Sequence, residues 1–244
     1  MMKRGRFVVV DGLDGVGKGV FLDTFVEEAQ TDGRRVFDVH KFWKSHDFHP
    51  SPADVGNADV LVTSEPTFCG TGRYIRNELI AKNDRSYSPQ AVAEAYALDR
   101  HILYEQLLLL ALERGIDIYQ SRSFSSSVTY QRQSALDQGT DFSIADIMAI
   151  PGNSFCAGYP MNLLVIPTIT DVEEAVQRSK GRDKNDNCKF ENLAFQLKLK
   201  PRFESDEFKH LFASLGVSIV YMDAGVSIEH SQQQAREFYQ QHLR

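Results

Sequence analysis

Phe7-Val-Val-Val-Asp11-Gly12-Leu-Asp14-Gly15-Val-Gly17-Lys18-Gly19 turns a short β-branched run into a helical pattern through a glycine-rich bend. Phe7 to Val10 reads as a buried strand. From Lys18 to Gln30, Val20, Phe21, Phe25, Val26 and Ala29 recur close to the helical period, which predicts an amphipathic helix. The spacing Gly12-x-x-x-x-Gly17-Lys18 between them is that of a phosphate cradle. Glycines let successive backbone N–H groups converge on a phosphate, and the helix N-terminus adds partial positive charge. Gly12, Gly15, Val16, Gly17, Lys18, Gly19 and Val20 are therefore the candidate contacts to a nucleoside triphosphate, with Lys18 neutralising its β and γ phosphates. One letter departs from the pattern: the residue after the lysine supplies a Mg²⁺-ligating hydroxyl in such loops, and here it is Gly19.

Outward from this stretch, strand-like runs alternate with helical ones. Phe7 to Val10, Arg35 to His40, Val60 to Thr63, Ile116 to Gln120, Leu163 to Pro167 and Ser218 to Met222 are the candidate strands. That alternation predicts a three-layer α/β fold with a mostly parallel central sheet and helices on both faces. Ser88-Pro89 offers an N-cap and a proline at the first helical position, and Gly115 closes the same helix. Val92, Ala95, Tyr96, Leu98, Ile102, Leu103 and Leu107 are its expected buried side. With 244 residues, 42% of them hydrophobic, the chain suits one domain spanning 1–244, with an irregular insertion over about 43–59 and a charged lid over about 178–191. Within the insertion, His46 and His49 are conceivable metal ligands, although a solvated loop is the simpler reading.

Composition narrows the function classes. A net charge of −6 offers no global field for a nucleic-acid backbone. Three cysteines, at 69, 156 and 188, have no metal-ligand spacing and an odd count, which predicts reduced thiols in a cytoplasmic setting. The longest apolar run, Leu107 to Leu112, is too short to cross a bilayer, and the N-terminal stretch has no signal-peptide core.

Phosphoryl transfer requires a cradle, cations around the moving group and an acceptor held in line. In open parallel sheets ligands gather at the carboxyl ends of strands. Thr63-Ser64-Glu65-Pro66 and Ser121-Arg122-Ser123 are two such ends, and the Arg122 fork suits an acceptor phosphate.

Taken with these elements, the chain resembles the thymidylate kinases, P-loop enzymes that use ATP to convert dTMP into dTDP. Gly12-Leu-Asp14-Gly-Val-Gly17-Lys18 resembles that family's P-loop. Glu65-Pro66 followed by Gly72 and Ile75-Arg76 resembles its REPGGT segment, and Tyr96-Ala-Leu-Asp-Arg100 its aromatic-x-x-x-Arg helix. Ser121-Arg122 with Ser126, Tyr130 and Gln131 resembles its DR...S...AYQ element, and Arg178-x-x-x-Arg182 with Lys189-Phe190-Glu191 its lid and the following R-F-E.

The resemblance implies a P-loop NTPase fold with a small mobile lid, and ATP and Mg²⁺ as cofactors. It also implies roles. Tyr96 would stack on the base and Arg100 bond a base carbonyl. Asp14 would accept from the acceptor's 3′-hydroxyl or help place the Mg²⁺ shell, which Asp11 would join through water. Arg122 and Arg76 would grip the acceptor phosphate, with Ser126 and Gln131 beside them, and Tyr130 would exclude a ribose 2′-hydroxyl. Arg178 and Arg182, supported by Lys180 and Lys184, would bring catalytic charge from the lid, because Gly15 stands where some members carry a P-loop arginine. The family's frequent dimers imply a possible homodimer through the helix around Leu107.

Three letters break the pattern: Gly19, Ser121 in place of the usual Asp, and Ser64 in place of the usual Arg. They keep two alternatives open, a kinase for another nucleotide or nucleoside and a nucleotide-binding pseudokinase with little turnover.

Overall fold

The structure, a computed structural model, describes residues 3–180 and 188–244. Six strands form one parallel sheet in the order β2-β3-β4-β1-β5-β6: β1 (Phe7–Val10), β2 (Val36–Asp38), β3 (Val60–Ser64), β4 (Asp117–Ser121), β5 (Leu163–Thr168) and β6 (Ser218–Asp223). All six expected strands are present. β1 lies between β4 and β5, and Phe7 to Val10 are each at most 1% exposed, which explains why that stretch reads as apolar on both faces. Each such side chain contributes roughly 1.5–3 kcal/mol by leaving water.

Helix α1 (Lys18–Thr31) follows the cradle and packs against the C-terminal helix, Ile228–His242. Right-handed crossovers place the helices that lead rightward along the sheet on its other face. There a long helix, Pro89–Leu103, runs on through a π-helical turn, Tyr104–Leu108, into a last turn over Leu109–Glu113, and Gly115 follows at φ +80°. Ser88 caps it by accepting from the Ala91 amide, as its sequence predicts. Its buried stripe differs in part from the expected one. Val92, Leu103 and Leu107 are buried, whereas Leu98 and Ile102 are 52% and 37% exposed, and Ala97 and Arg100 turn inward instead. No helix among the described residues is long and apolar enough to cross a membrane.

The expected second strand, Arg35 to His40, stops at Asp38. The Asp38 carboxylate accepts from the His40 amide and caps α2 (Val39–Trp43), so the chain leaves the sheet two residues early. The 43–59 stretch is less irregular than its composition predicts. A Ser51/Asp54 capping box starts a helical turn, Pro52–Val55, and Trp43 is 2% exposed. His46 stacks on Phe42 with ring centroids 4.0 Å apart, and His49 packs on Trp43 and lies 3.7 Å from the Cys69 sulfur. Burial pushes the His49 pKa down to about 4. Among the described residues no three metal-ligating side chains converge, so these histidines form no metal site there.

Candidate active site

At the carboxyl ends of β1, β3 and β4 lies a cleft of about 970 Å³. Gly15, Lys18 and Gly19 line one end, Tyr96, Arg100 and Arg76 the other, and Ser64, Ser121 and Arg122 its floor. In the cradle, Gly12, Gly15 and Gly17 take φ values of +141°, +76° and +100°, which L side chains adopt rarely, and this is why the loop needs glycine. The Lys18 ammonium donates to the carbonyls of Gly12 (3.2 Å) and Leu13 (2.6 Å) and stands 3.8 Å from Asp14. The Val16 side chain is fully buried, so this position offers a ligand only backbone. Gly19 is exposed, and the space beside it would admit the missing side chain. A Cβ built there would lie 3.8 Å from an Asp23 carboxylate oxygen.

Asp14 is the hub of the cleft. Its carboxylate accepts from Arg122, from the Tyr130 hydroxyl at 3.2 Å and from the Gln196 carboxamide at 3.0 Å, and its amide donates back to the Gln196 oxygen at 2.9 Å. Arg122 is the one non-glycine residue among those described with positive φ, at +66°. That backbone turns its guanidinium toward Ser126 (3.0 Å), Asp14 and Asp11. Burial works against its charge, and Tyr130, Asp14 and Asp11 more than offset this, so Arg122 stays ionised.

Asp11 does not fit the expected metal shell. It is fully buried, and its oxygens accept from the Gly12 amide and from the Ser125 and Ser126 hydroxyls. It braces the start of the cradle and is absent from the cleft wall.

Around the far end, Arg76 lies 3.7 Å over the Phe68 ring and donates to the carbonyls of Pro66 and Thr67. Tyr96 is half-buried in the wall, and burial raises its hydroxyl pKa. Arg100 is held more tightly than a lone base reader. It pairs with Glu65 at 2.7 Å and donates to Asn153 and Ser127. Burial raises the Glu65 pKa to about 7, with Arg100 opposing that shift. Gly152 permits this arrangement, because a Cβ there would lie 2.2 Å from the Ala97 carbonyl oxygen and push the neighbouring Asn153 away. Tyr130 and Gln131 both line the cleft, and the buried Gln131 side-chain oxygen has no hydrogen-bond partner.

The lid candidates separate. Arg178, on the helix Val172–Lys180, donates to the Ala224 carbonyl at 2.9 Å and to Glu174, and does not line the cleft. Ala224 in turn borders Gly17 of the cradle. Arg182 and Lys184 fall outside the described residues.

Gln196, His40, Trp43 and Lys44 belong to the site without having been singled out in the sequence. For Gln196 a signal exists, since it is a polar residue in phase with Leu199 and Phe203 on the buried stripe of the helix Leu193–Glu204. For His40 the signal is Asp38 two residues earlier, a capping residue inside an apparent strand.

The geometry agrees with what this chain is similar to. A family model described as thymidylate kinase matches residues 53–235. A probable thymidylate kinase from Pyrococcus abyssi is 30% identical, over 88% of this chain and 87% of its own length. Thymidylate kinases from Exiguobacterium sp. and Trichodesmium erythraeum are 25% and 24% identical, over 96% and 98% of this chain and 93% and 96% of theirs.

Proposed function

The chain belongs to the thymidylate kinase family, and from that membership we propose how its residues carry the reaction. The reaction is transfer of the γ-phosphoryl group of ATP to dTMP, giving dTDP. The supporting observation is the Asp14 network. One carboxylate on the phosphate loop joins Arg122, Tyr130 and Gln196 at the junction of the cradle and the far end of the cleft.

In this reading the glycine loop and Lys18 hold the donor phosphates, and Lys18 exchanges its two carbonyl partners for phosphate oxygens. Arg122 and Arg76 hold the acceptor phosphate in line. Tyr96 stacks on thymine, while Arg100, fixed by Glu65 and Asn153, presents its remaining donor edge to the base. Tyr130 closes the space beside the sugar, supported by Ser126 and Gln131. Asp14 accepts from the 3′-hydroxyl, and Arg182, with Arg178 once it leaves the Ala224 carbonyl and Glu174, would add charge from the lid.

Mg²⁺ fits as a companion of the triphosphate rather than as a resident ion. Gly19 brings no hydroxyl, Asp11 is sealed, and no three ligating side chains converge among the described residues. Asp14 is the loop carboxylate that faces the cleft. When bound, the ion neutralises charge on the phosphate oxygens.

ADP release coupled to dTMP, dUMP, dCMP and the ribonucleotide UMP tests the reading. The expected order puts dTMP first. ADP release that no pyrimidine monophosphate stimulates would remove it.

A further inference from the structure

Ser64 stands where the family resemblance calls for arginine, and the structure supplies a substitute. Its hydroxyl lies 2.9 Å from His40 Nε2, and His40 Nδ1 lies 2.9 Å from an Asp38 carboxylate oxygen. Ser64 and His40 both line the cleft, with Lys44 and Arg76 beside them. β3 and β4 pair Ser64 with Ser121, and β4 and β1 pair Ser121 with Val10. Strand spacing therefore puts Ser64 roughly 10 Å from the start of the cradle, on the acceptor side of Arg122.

We propose that the Asp38, His40 and Ser64 relay binds the monoester phosphate of the acceptor nucleotide, with the Ser64 hydroxyl donating to a phosphate oxygen and the His40 imidazolium behind it. This deepens the dTMP kinase reading and rests on it. The relay has two proton arrangements. With His40 neutral and Nδ1–H given to Asp38, Nε2 accepts the Ser64 proton, and the hydroxyl has none to offer the cleft. With His40 protonated, Nε2–H donates to Ser64, and the hydroxyl is released to donate outward. A phosphate dianion favours the second arrangement, so acceptor binding and protonation of His40 reinforce each other.

Charged and aromatic groups hold the ring from several sides. The hydrogen bond from His40 holds the Asp38 carboxyl below its ordinary range. Asp23 on α1 faces both Asp38 and His40, Lys41 approaches Asp38 at 4.0 Å, and Lys44 lies further along the same wall. The ring itself packs edge-on against Trp43 and Phe68, and Phe68 carries Arg76 on its face. These contacts fix the imidazole between Asp38 and Ser64.

The experiment is steady-state kinetics with dTMP and ATP on wild type, Ser64→Ala, His40→Gln and His40→Lys. One charge-assisted hydrogen bond corresponds to about a tenfold change in affinity. Ser64→Ala and His40→Gln should raise KM for dTMP about tenfold while KM for ATP and kcat stay within about twofold. His40→Lys, which keeps a cation behind Ser64, should raise KM for dTMP less than His40→Gln does. An unchanged KM for dTMP in both neutral variants, or equal losses for ATP and dTMP, would overturn the relay. Wild-type ADP release that dTMP does not stimulate would instead remove the kinase reading, and the relay with it.

Discussion

The two ends of the cleft are built in different ways. The donor end is one stretch of thirteen residues, Phe7 to Gly19, and it works through backbone: glycines at positive φ and a single lysine. The acceptor end works through side chains drawn from distant segments. Asp14, Arg76, Tyr96, Arg122 and Gln196 meet there, and Asp14 and Gln196 are 182 residues apart. A local backbone device tolerates change in its surroundings, whereas a side-chain device inherits every shift in the elements that carry it. Perturbations at the two ends should therefore have different kinetic signatures.

Lys18→Ala is the most severe test of the donor end. Removing a preorganised cation from transferring phosphates costs roughly 10²–10³ in kcat, while dTMP binding by calorimetry should be nearly unchanged; weakened dTMP binding would erase the division. Arg122→Ala is its counterpart. It leaves Asp14 and the buried Asp11 without their guanidinium, so kcat/KM for dTMP should fall about a hundredfold, with a lower melting temperature and a KM for ATP close to wild type. Gln196→Ala touches Asp14 from the far side of the chain, and about a tenfold loss in kcat/KM for dTMP is expected. A change confined to KM for ATP would show that Asp14 belongs to the donor end instead.

Gly19→Ser asks whether the donor end is incomplete. Restoring a hydroxyl should lower the Mg²⁺ concentration for half-maximal rate severalfold at constant KM for dTMP. An unchanged Mg²⁺ requirement would mean that the ion depends on the triphosphate alone.

The smallest expected effect concerns the acceptor-side wall. His49 is held neutral by burial, with its pKa near 4 against an ordinary 6.5. A histidine with a lowered folded pKa contributes stability that is present above pH 6.5 and lost as pH falls toward 4. Partial exposure limits that loss to about 2 kcal/mol. Urea midpoints at pH 7 and pH 4.5 should converge in His49→Phe relative to wild type; identical pH dependence in both would exclude His49 as the source.

The contrast also governs what was legible in the sequence. All six strands could be read because their apolar β-branched runs are local, and the cradle because its spacing is. β2 ended early because the Asp38 side chain competes for the backbone, a hydrogen bond that periodicity does not register. Leu98 and Ile102 looked buried because the stripe was counted from apolar residues, whereas Arg100 takes the inward position through its pairing with Glu65. Family likeness pointed to Arg122 and Tyr130, and the structure joins both to Asp14. Neither likeness nor pattern pointed to His40, whose partner Ser64 is set by the pairing of β2, α2 and β3 in space.

The strand order carries a consequence for the protein's synthesis. β1 is made first, yet its two neighbours are β4, ending at Ser121, and β5, ending at Thr168. At ribosomal rates of about 5–20 residues per second, the Val-rich strand and its glycine loop wait on the order of ten seconds before either edge can be paired. During that interval the stretch that most defines the molecule is an unpaired apolar edge, the kind of segment that nascent-chain chaperones shield. The nucleotide loop is thus translated early and becomes structured late, so chains truncated before Asp117 should carry the whole motif and still lack the sheet that supports it.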